Sequence, residues 1–276
     1  MPTHREQAEH FLTLHHGAMP LVMPNPWDIG SAKLLGALGF AALATTSAGF
    51  AATMGRLDYS VVLDEIVEHA AAIVGATDLP VNADFENAFA HEPAGVAANV
   101  ALAAATGLAG LSVEDFSGRA DGSIYELGLA RDRIAAAADA LHSGDVHVVL
   151  TARAENHLHG RRNLADTISR LQAYQEAGAD VLYAPGLTDP GDIRSVVESV
   201  DRPVNVLALP GAPSVRELGE LGVSRVSVGS GFSLVALGAV VEAARELLDD
   251  GTYGFWSVAG AGAGAVRAAF APAGDR

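Results

Sequence analysis

Acidic residues close two apolar runs of this chain, Asp84-Phe-Glu86 and Glu114-Asp115, and an arginine closes a third, Arg153-Ala-Glu155-Asn-His157. Carboxylates gathered in a partly dry site repel one another, and a divalent cation resolves the repulsion. All-oxygen ligands in a chain without cysteine suit Mg2+ or Mn2+, which keep several waters and accept one or two direct carboxylates. Arg153 then reads as a bidentate clamp for a substrate carboxylate. It can equally pair with Glu114 or Glu155, and both roles are compatible. An isolated aspartate at a strand end is often only the N-cap of the next helix. The weight therefore rests on three or four carboxylates reaching one rim.

Eight short apolar or β-branched runs, each followed by a polar cluster and a helical pattern, must position these groups. They are Leu21–Pro24, Ala41–Thr45, Pro80–Ala83, Gly110–Val113, Val146–Ala152, Asp180–Tyr183, Pro203–Ala208 and Arg225–Val228. Continuous runs rather than alternation predict strands buried on both faces, and strand alternating with helix predicts a parallel sheet. Eight such units in one chain predict a single α/β (β/α)8 barrel of the TIM type. Residues 1–19 read as a helix capping the barrel and 20–256 as the barrel itself. Residues 257–276 read as an Ala/Gly/Pro-rich tail or an arm on a partner subunit. His10, His15 and His16, with Glu6 nearby, form no complete ligand set and read as a surface helix. In such barrels chemistry sits at the carboxyl ends of the strands. Here those ends also carry Asn25-Pro-Trp27-Asp28, Thr45-Thr-Ser47, Tyr183 and Gly229-Ser-Gly231. The last could hold a phosphate, although a tight turn is the simpler reading.

Composition excludes several classes. The 276 residues carry a formal net charge of −16, which argues against nucleic acid or an anionic membrane as partner. With no cysteine there is no disulfide, thiolate metal site or cysteine nucleophile. Lys33, the one lysine, lies in a helical pattern away from any strand end, so Schiff-base chemistry is not expected. The amino terminus lacks an apolar signal core and the stretch Ala94–Val113 is a poor membrane span, so a cytoplasmic protein is expected.

These residues, in this order, resemble the isocitrate lyase / phosphoenolpyruvate mutase superfamily from about Pro24 to Ser233. The resemblance is carried by Asn25-Pro-Trp-Asp28, Thr45-Thr-Ser47-Ala-Gly49, Gly55-Arg-Leu-Asp58, Pro80-Val-Asn-Ala-Asp84-Phe-Glu86, Ser112-Val-Glu114-Asp115, Thr151-Ala-Arg153 and Gly178-Ala-Asp180. It implies a barrel whose last helix is exchanged between subunits, giving a homotetramer built as a dimer of dimers. It also implies Mg2+ and a small 2-oxo or 2-hydroxy carboxylate passing through an enolate. By the same resemblance Asp84 would bind the metal directly, and Asp58, Glu86 and Glu114 would hold its waters. Ser47, the Ala48–Gly49 backbone, Trp27, Asp28 and Arg153 would hold the substrate. Candidates to move the proton are His157, Tyr183 and Tyr125, with Arg153, Ser47 and Glu114 completing the catalytic set.

Two departures narrow the reaction. The lyases carry a Lys-Lys-Cys-Gly-His loop after strand four, and the mutases a Lys-Thr-Asn lid; the loop 116–125 here has neither. Strand seven, Pro203-Val-Asn-Val-Leu-Ala-Leu, lacks the polar cluster that receives a tricarboxylate. The expectation is a C–C lyase, decarboxylase or hydrolase for a small carboxylate. The alternatives are P–C bond chemistry, or a barrel that binds metal and dicarboxylate without turnover.

Overall fold

The structure, a computed structural model, describes residues 2–119 and 121–271. Its strands are β1 (Leu21–Met23), β2 (Leu43–Ala44), β3 (Val81–Asp84), β4 (Gly110–Glu114), β5 (Val149–Arg153), β6 (Val181–Tyr183), β7 (Val204–Leu207) and β8 (Arg225–Ser227). All eight expected strands form, parallel throughout, in the order β1-β8-β7-β6-β5-β4-β3-β2. The seam between β1 and β2 is bridged by the Ala44 N–H, which donates to the Pro24 carbonyl at 3.0 Å. The result is a nearly closed (β/α)8 barrel. Strands β4 and β6 are buried along their whole length, as both-face burial requires.

The helices are α1 (His4–Leu14), α2 (Ile29–Ala37), α3 (Ser47–Thr53), α4 (Leu63–Val74), α5 (Pro93–Ala104), α6 (Leu127–His142), α7 (Leu164–Glu176), α8 (Pro190–Glu198), α9 (Val215–Glu220), α10 (Gly231–Arg245) and α11 (Trp256–Phe270). A π-helical turn, Glu246–Asp250, ends α10. Side chains of Asp28, Thr46, Asn163, Asp189 and Ser214 cap α2, α3, α7, α8 and α9 by accepting first-turn amide hydrogens. Gly178, at φ +104°, leaves α7 in the left-handed conformation that a side chain would strain.

Three elements depart from the sequence reading. Helix α3 lies directly after β2, where the sequence reading marked only the strand-end residues Thr45-Thr-Ser47. Helix α1 does not lie flat on the surface, because Phe11 and His15 are buried beneath the barrel with Leu21, Val149 and Val181. The segment read as a low-complexity tail is helical as far as Phe270 and packs on α2. Residues 272–276 of that tail and Ala120 of the loop lie outside the described residues. In α10 only Ser233 is buried, while Leu234, Val235, Leu237, Val240 and Val241 are exposed. No helix among the described residues is long and apolar enough to cross a membrane.

Candidate functional site

Strand register decides which side chains meet. Parallel pairing sets Asp84 beside Ser112, Glu114 beside Arg153, and Arg153 beside Tyr183. Each is the last residue of its strand or near it, so all reach the carboxyl-terminal mouth of the barrel. Helix α3 delivers Ser47, its first residue, to the same mouth. Gly49 allows this, since a Cβ there would fall 2.6 Å from Thr46 Cγ2 and 3.1 Å from Trp27 Cβ.

Ser47 donates to Asp84 Oδ2 from its amide at 2.9 Å and from its hydroxyl at 2.8 Å. Arg153 is the hub of the cluster. Its Nη1 lies 2.6 Å from Asp84 Oδ1, its Nη2 3.1 Å from Glu114 Oε2, and its Nε donates to Glu155 Oε1 at 2.8 Å. The Tyr59 hydroxyl donates to Glu114 Oε1 at 2.9 Å. Asp58 accepts from the Ser47 hydroxyl at 3.4 Å and from its neighbour's amide at 3.1 Å. All of these groups except Glu155 line a cavity of about 150 Å3 with Thr45, Thr46, Ala48, Asn82, Ser112, Tyr183, Asn205, Arg225 and Ser227.

The electrostatics are unbalanced toward acid. Burial, then the neighbouring Asp84 charge, raises the Asp58 pKa. Burial, Asp84 and Asp58 together push Glu86 up to about 8. Glu114, fully buried, lies well above the carboxylate range because desolvation outweighs the attraction of Arg153. Desolvation also works against the charged form of Arg153, but Glu155, Glu114 and Asp84 outweigh it and hold the guanidinium well above its ordinary value. Burial raises both phenols, Tyr183 to about 12, so each is a neutral O–H donor. One guanidinium thus serves several carboxylates that resist ionising together, which is the condition a hard dication relieves.

Of the sequence candidates, Ser47, Ala48, Asp58, Asp84, Glu114, Arg153 and Tyr183 line the cavity. Glu86 stands behind Tyr59 in an adjoining cleft, buried, with a left-handed backbone at φ +45° and Oε1 unpartnered among the described residues. Five placements are corrected. Asp28 is exposed because its carboxylate is occupied as the α2 N-cap, accepting from Ser31 N–H at 2.6 Å. Trp27 lines a groove beside α3 and α4 instead of the cavity. The Gly49 amide is already donated to Thr46 Oγ1 at 3.2 Å, so only Ala48 faces the cavity. His157 is displaced because the chain turns under Gly186 there, which puts Leu158 in the wall. Tyr125 is buried away from the cavity, its ring stacked beneath the Arg133 guanidinium at 4.0 Å.

Asp115 also proves structural: it accepts from Tyr174 at 2.6 Å, Arg170 at 3.1 Å and the Glu155 amide at 2.8 Å. Gly229 and Ser230 form a turn that leads into α10 at Gly231, with the Val228 and Gly229 amides both spent on Asn25 Oδ1. Sequence reasoning missed Tyr59, one residue past Asp58. It also missed the polar floor of Asn82, Asn205, Arg225 and Ser227, which the inward alternation of β3, β7 and β8 could have revealed. Phe116 and Ile124 pair as an isolated antiparallel bridge. Phe116 stacks on His159 at 3.7 Å and meets the Tyr59 ring edge-on at 4.9 Å.

A cluster outside the cavity, His142, His147 and Asp180, has ligand atoms within 4.8 Å of one another at the opposite end of the barrel.

Residues 11–248 match the phosphoenolpyruvate phosphomutase family. A crystal structure from Burkholderia cenocepacia J2315, provisionally described as a lyase/mutase, is 48% identical over 98% of both chains, with a TM-score of 0.94. An uncharacterized protein of Mycobacterium tuberculosis H37Rv is 33% identical over 87% of this chain and 89% of its own. The structure of 2,3-dimethylmalate lyase, a PEP mutase/isocitrate lyase superfamily member, is 26% identical over 92% of this chain and 90% of its own, with a TM-score of 0.82. The extent of these matches, over the same strands that carry the acidic rim, shows that the chain belongs to the phosphoenolpyruvate phosphomutase family.

Proposed function

We propose that the chain is a Mg2+- or Mn2+-dependent enzyme that breaks a C–C bond beside the 2-oxygen of a small 2-oxo or 2-hydroxy carboxylate, as a lyase, decarboxylase or hydrolase. One observation carries the reading: Asp84 and Glu114 pair with a single guanidinium at the rim, Asp58 lines the same cavity with Glu86 in the adjoining cleft, and burial raises the pKa of Asp58, Glu86 and Glu114. The unpartnered Oε1 of Glu86 and the all-carboxylate donor set fit a hard cation. Asp84 would hold it directly, with Asp58, Glu86 and Glu114 holding its waters. Such an ion acts as a Lewis acid toward a substrate carboxylate and its adjacent oxygen.

The chain's own groups supply the rest. Arg153 places fixed positive charge against negative charge growing on the 2-oxygen, and losing one such donor raises a barrier by about 3 kcal/mol. The Ser47 hydroxyl orients the carboxylate end. Tyr59 and Tyr183, both held neutral at physiological pH, are the residues able to hand a proton to the carbon left behind. The similarity to 2,3-dimethylmalate lyase favours a lyase over P–C chemistry, as does a loop 116–125 without the mutase residues. The test is a thermal-shift and turnover screen of short 2-oxo and 2-hydroxy acids with and without Mg2+. Stabilisation by oxalate only when Mg2+ is present, with turnover of at least one acid, is the expected result. Oxalate binding that ignores Mg2+ would end the proposal.

A second copy is proposed to cover α10, whose apolar side chains stand exposed along the helix. Helix exchange in a dimer of dimers accounts for them. Sedimentation should then give a tetramer, and Val235→Asp should reduce its size.

A further inference from the structure

Arg225 belongs to β8 but its head crosses the barrel interior, fully buried at 2% exposure. Its Nε donates to Asn205 Oδ1 at 3.0 Å and its Nη2 to Thr151 Oγ1 at 3.1 Å. Its Nη1 lies 3.2 Å from His15 Nε2. His15 is neutral: burial, then the Arg225 charge, lowers its pKa to about 3, and its Nδ1 sits 2.8 Å from the Phe11 carbonyl as a donor. Nε2 is therefore an acceptor. All three partners of this guanidinium are uncharged, and no carboxylate among the described residues lies within ion-pair distance.

The other deeply buried arginines are accounted for. Arg153 and Arg170 carry carboxylates. Arg133 is bonded by the carbonyls of Glu114, Asn87 and Ala90 and covered by the Tyr125 ring, away from the cavity. Arg225 differs on both counts. It offers five N–H groups and spends three, and it lines the same cavity as Asp84 and Arg153.

The depth of that charge is fixed by β5. Thr151 and Arg153 share one face of the strand two residues apart, about 6.6 Å along it. Arg225 touches Thr151, so its head lies one layer beneath Arg153. At that lower layer the cavity wall is Met23, Asn82, Asn205 and Ser227, all neutral, whereas the acids stand at the rim. The cavity is thus acidic at its mouth and cationic at its floor.

We infer that the floor is an anion subsite in which Arg225, positioned by Asn205 and Thr151, receives the far carboxylate of a short dicarboxylate whose 2-oxygen end lies at the rim. This rests on the proposed function and narrows it: the substrate is a diacid that enters carboxylate-first along the barrel axis. A monocarboxylate of equal length leaves the buried cation without a counter-ion.

Titration calorimetry on the Mg2+-loaded full chain tests this with a matched pair, malate and 2-hydroxybutyrate, which differ in ending on a carboxylate or a methyl. A charge-assisted pair in a buried site predicts that malate binds tighter by about tenfold to a hundredfold. Asn205→Asp places an internal carboxylate against Arg225 without changing the side-chain shape. It should bring the ratio of the two affinities close to one while oxalate, which occupies only the rim, binds as before. Arg225→Gln should do the same where it folds. Equal affinities in the wild type, or a malate preference that survives Asn205→Asp, overturns the inference. Wild-type protein that fails to bind oxalate with Mg2+ instead overturns the proposed function, and the two failures are distinguishable.

Discussion

Asp180 and Asp58 are the same group at opposite ends of one barrel, and their surroundings shift them in opposite directions. Burial alone would raise Asp180, but His142 Nε2 at 3.0 Å, the Leu150 amide at 2.8 Å and His147 Nε2 at 3.0 Å outweigh it and hold the pKa below the usual range. Asp58 has two weaker partners and faces Asp84, so burial and repulsion raise it. Backbone geometry repeats the contrast. Among the described residues the non-glycine positions with a left-handed backbone are Tyr59 at the acidic rim and Glu86, Ala88 and Phe89 in the segment that follows β3. Such positions cost of order 1–3 kcal/mol each and persist where neighbouring structure over-determines them. The base of the barrel is satisfied and stabilising; the rim is strained and under-neutralised, as a site built to receive a cation must be.

The widest gap between the two ends should appear in Asp84→Asn. Turnover of the true substrate should fall by about 10^3-fold, the scale of removing a charge-stabilising group from a catalytic site. The fold should be indifferent, because Glu114 and Glu155 still hold the Arg153 guanidinium at 3.1 and 2.8 Å and one repelling charge is gone. Steady-state kinetics beside a melting curve checks both. A large drop in melting temperature would mean that the rim is a structural network after all.

That contrast was only half visible in the sequence. The strands were legible because burial on both faces makes them continuous apolar runs, and the acids stood out because they end those runs. What escaped depended on three-dimensional placement. Tyr59 occupies a loop with no periodicity, at a φ of +58° that nothing in its residue type announces. Helix α3 is seven residues long and contains a glycine, so no pattern signalled it. Arg225 opens a strand, where a charge usually marks an edge; only the closed barrel turns it inward. The misplaced candidates erred for the same reason. Asp28, Gly49 and His157 have suitable chemistry at strand ends, yet capping, a short helix turn and a chain reversal assign their polar groups elsewhere.

A smaller effect separates the two phenols of the rim. Tyr59→Phe keeps the ring against Phe116 but removes the hydroxyl that reaches Glu114. Loss of a group that moves a proton typically costs at least about 10^2-fold in kcat. The expected result is that loss with KM little changed. If Tyr183→Phe shows the loss and Tyr59→Phe does not, the proton belongs to strand β6.

At the other end of the barrel, Asp180→Asn should cost about 2 kcal/mol of stability, the worth of hydrogen bonds to an ionised group, and leave turnover intact. The pH dependence has a definite sign. Because the folded-state pKa of Asp180 is depressed, its contribution is fully present above the ordinary carboxylate pKa and is lost as pH falls through the lower folded value. Urea unfolding at neutral pH should therefore separate wild type from variant, and the gap should close in strong acid. A constant gap would show that shape rather than charge holds this corner together.

The smallest expected difference compares two helix caps of the same chemistry. Thr46 Oγ1 accepts the Gly49 amide at 3.2 Å at the start of α3, and Asn163 Oδ1 accepts the Asp166 amide at 3.2 Å at the start of α7. Replacing either by alanine should cost about 1 kcal/mol, read as similar shifts in a denaturation midpoint. Only Thr46→Ala should touch turnover, by a few-fold, because α3 begins with Ser47 and its amide and hydroxyl both hold Asp84. Equal effects of the two variants on turnover would mean that α3 is rigid without its cap, and that β2 and Gly49 packing alone deliver Ser47 to the rim.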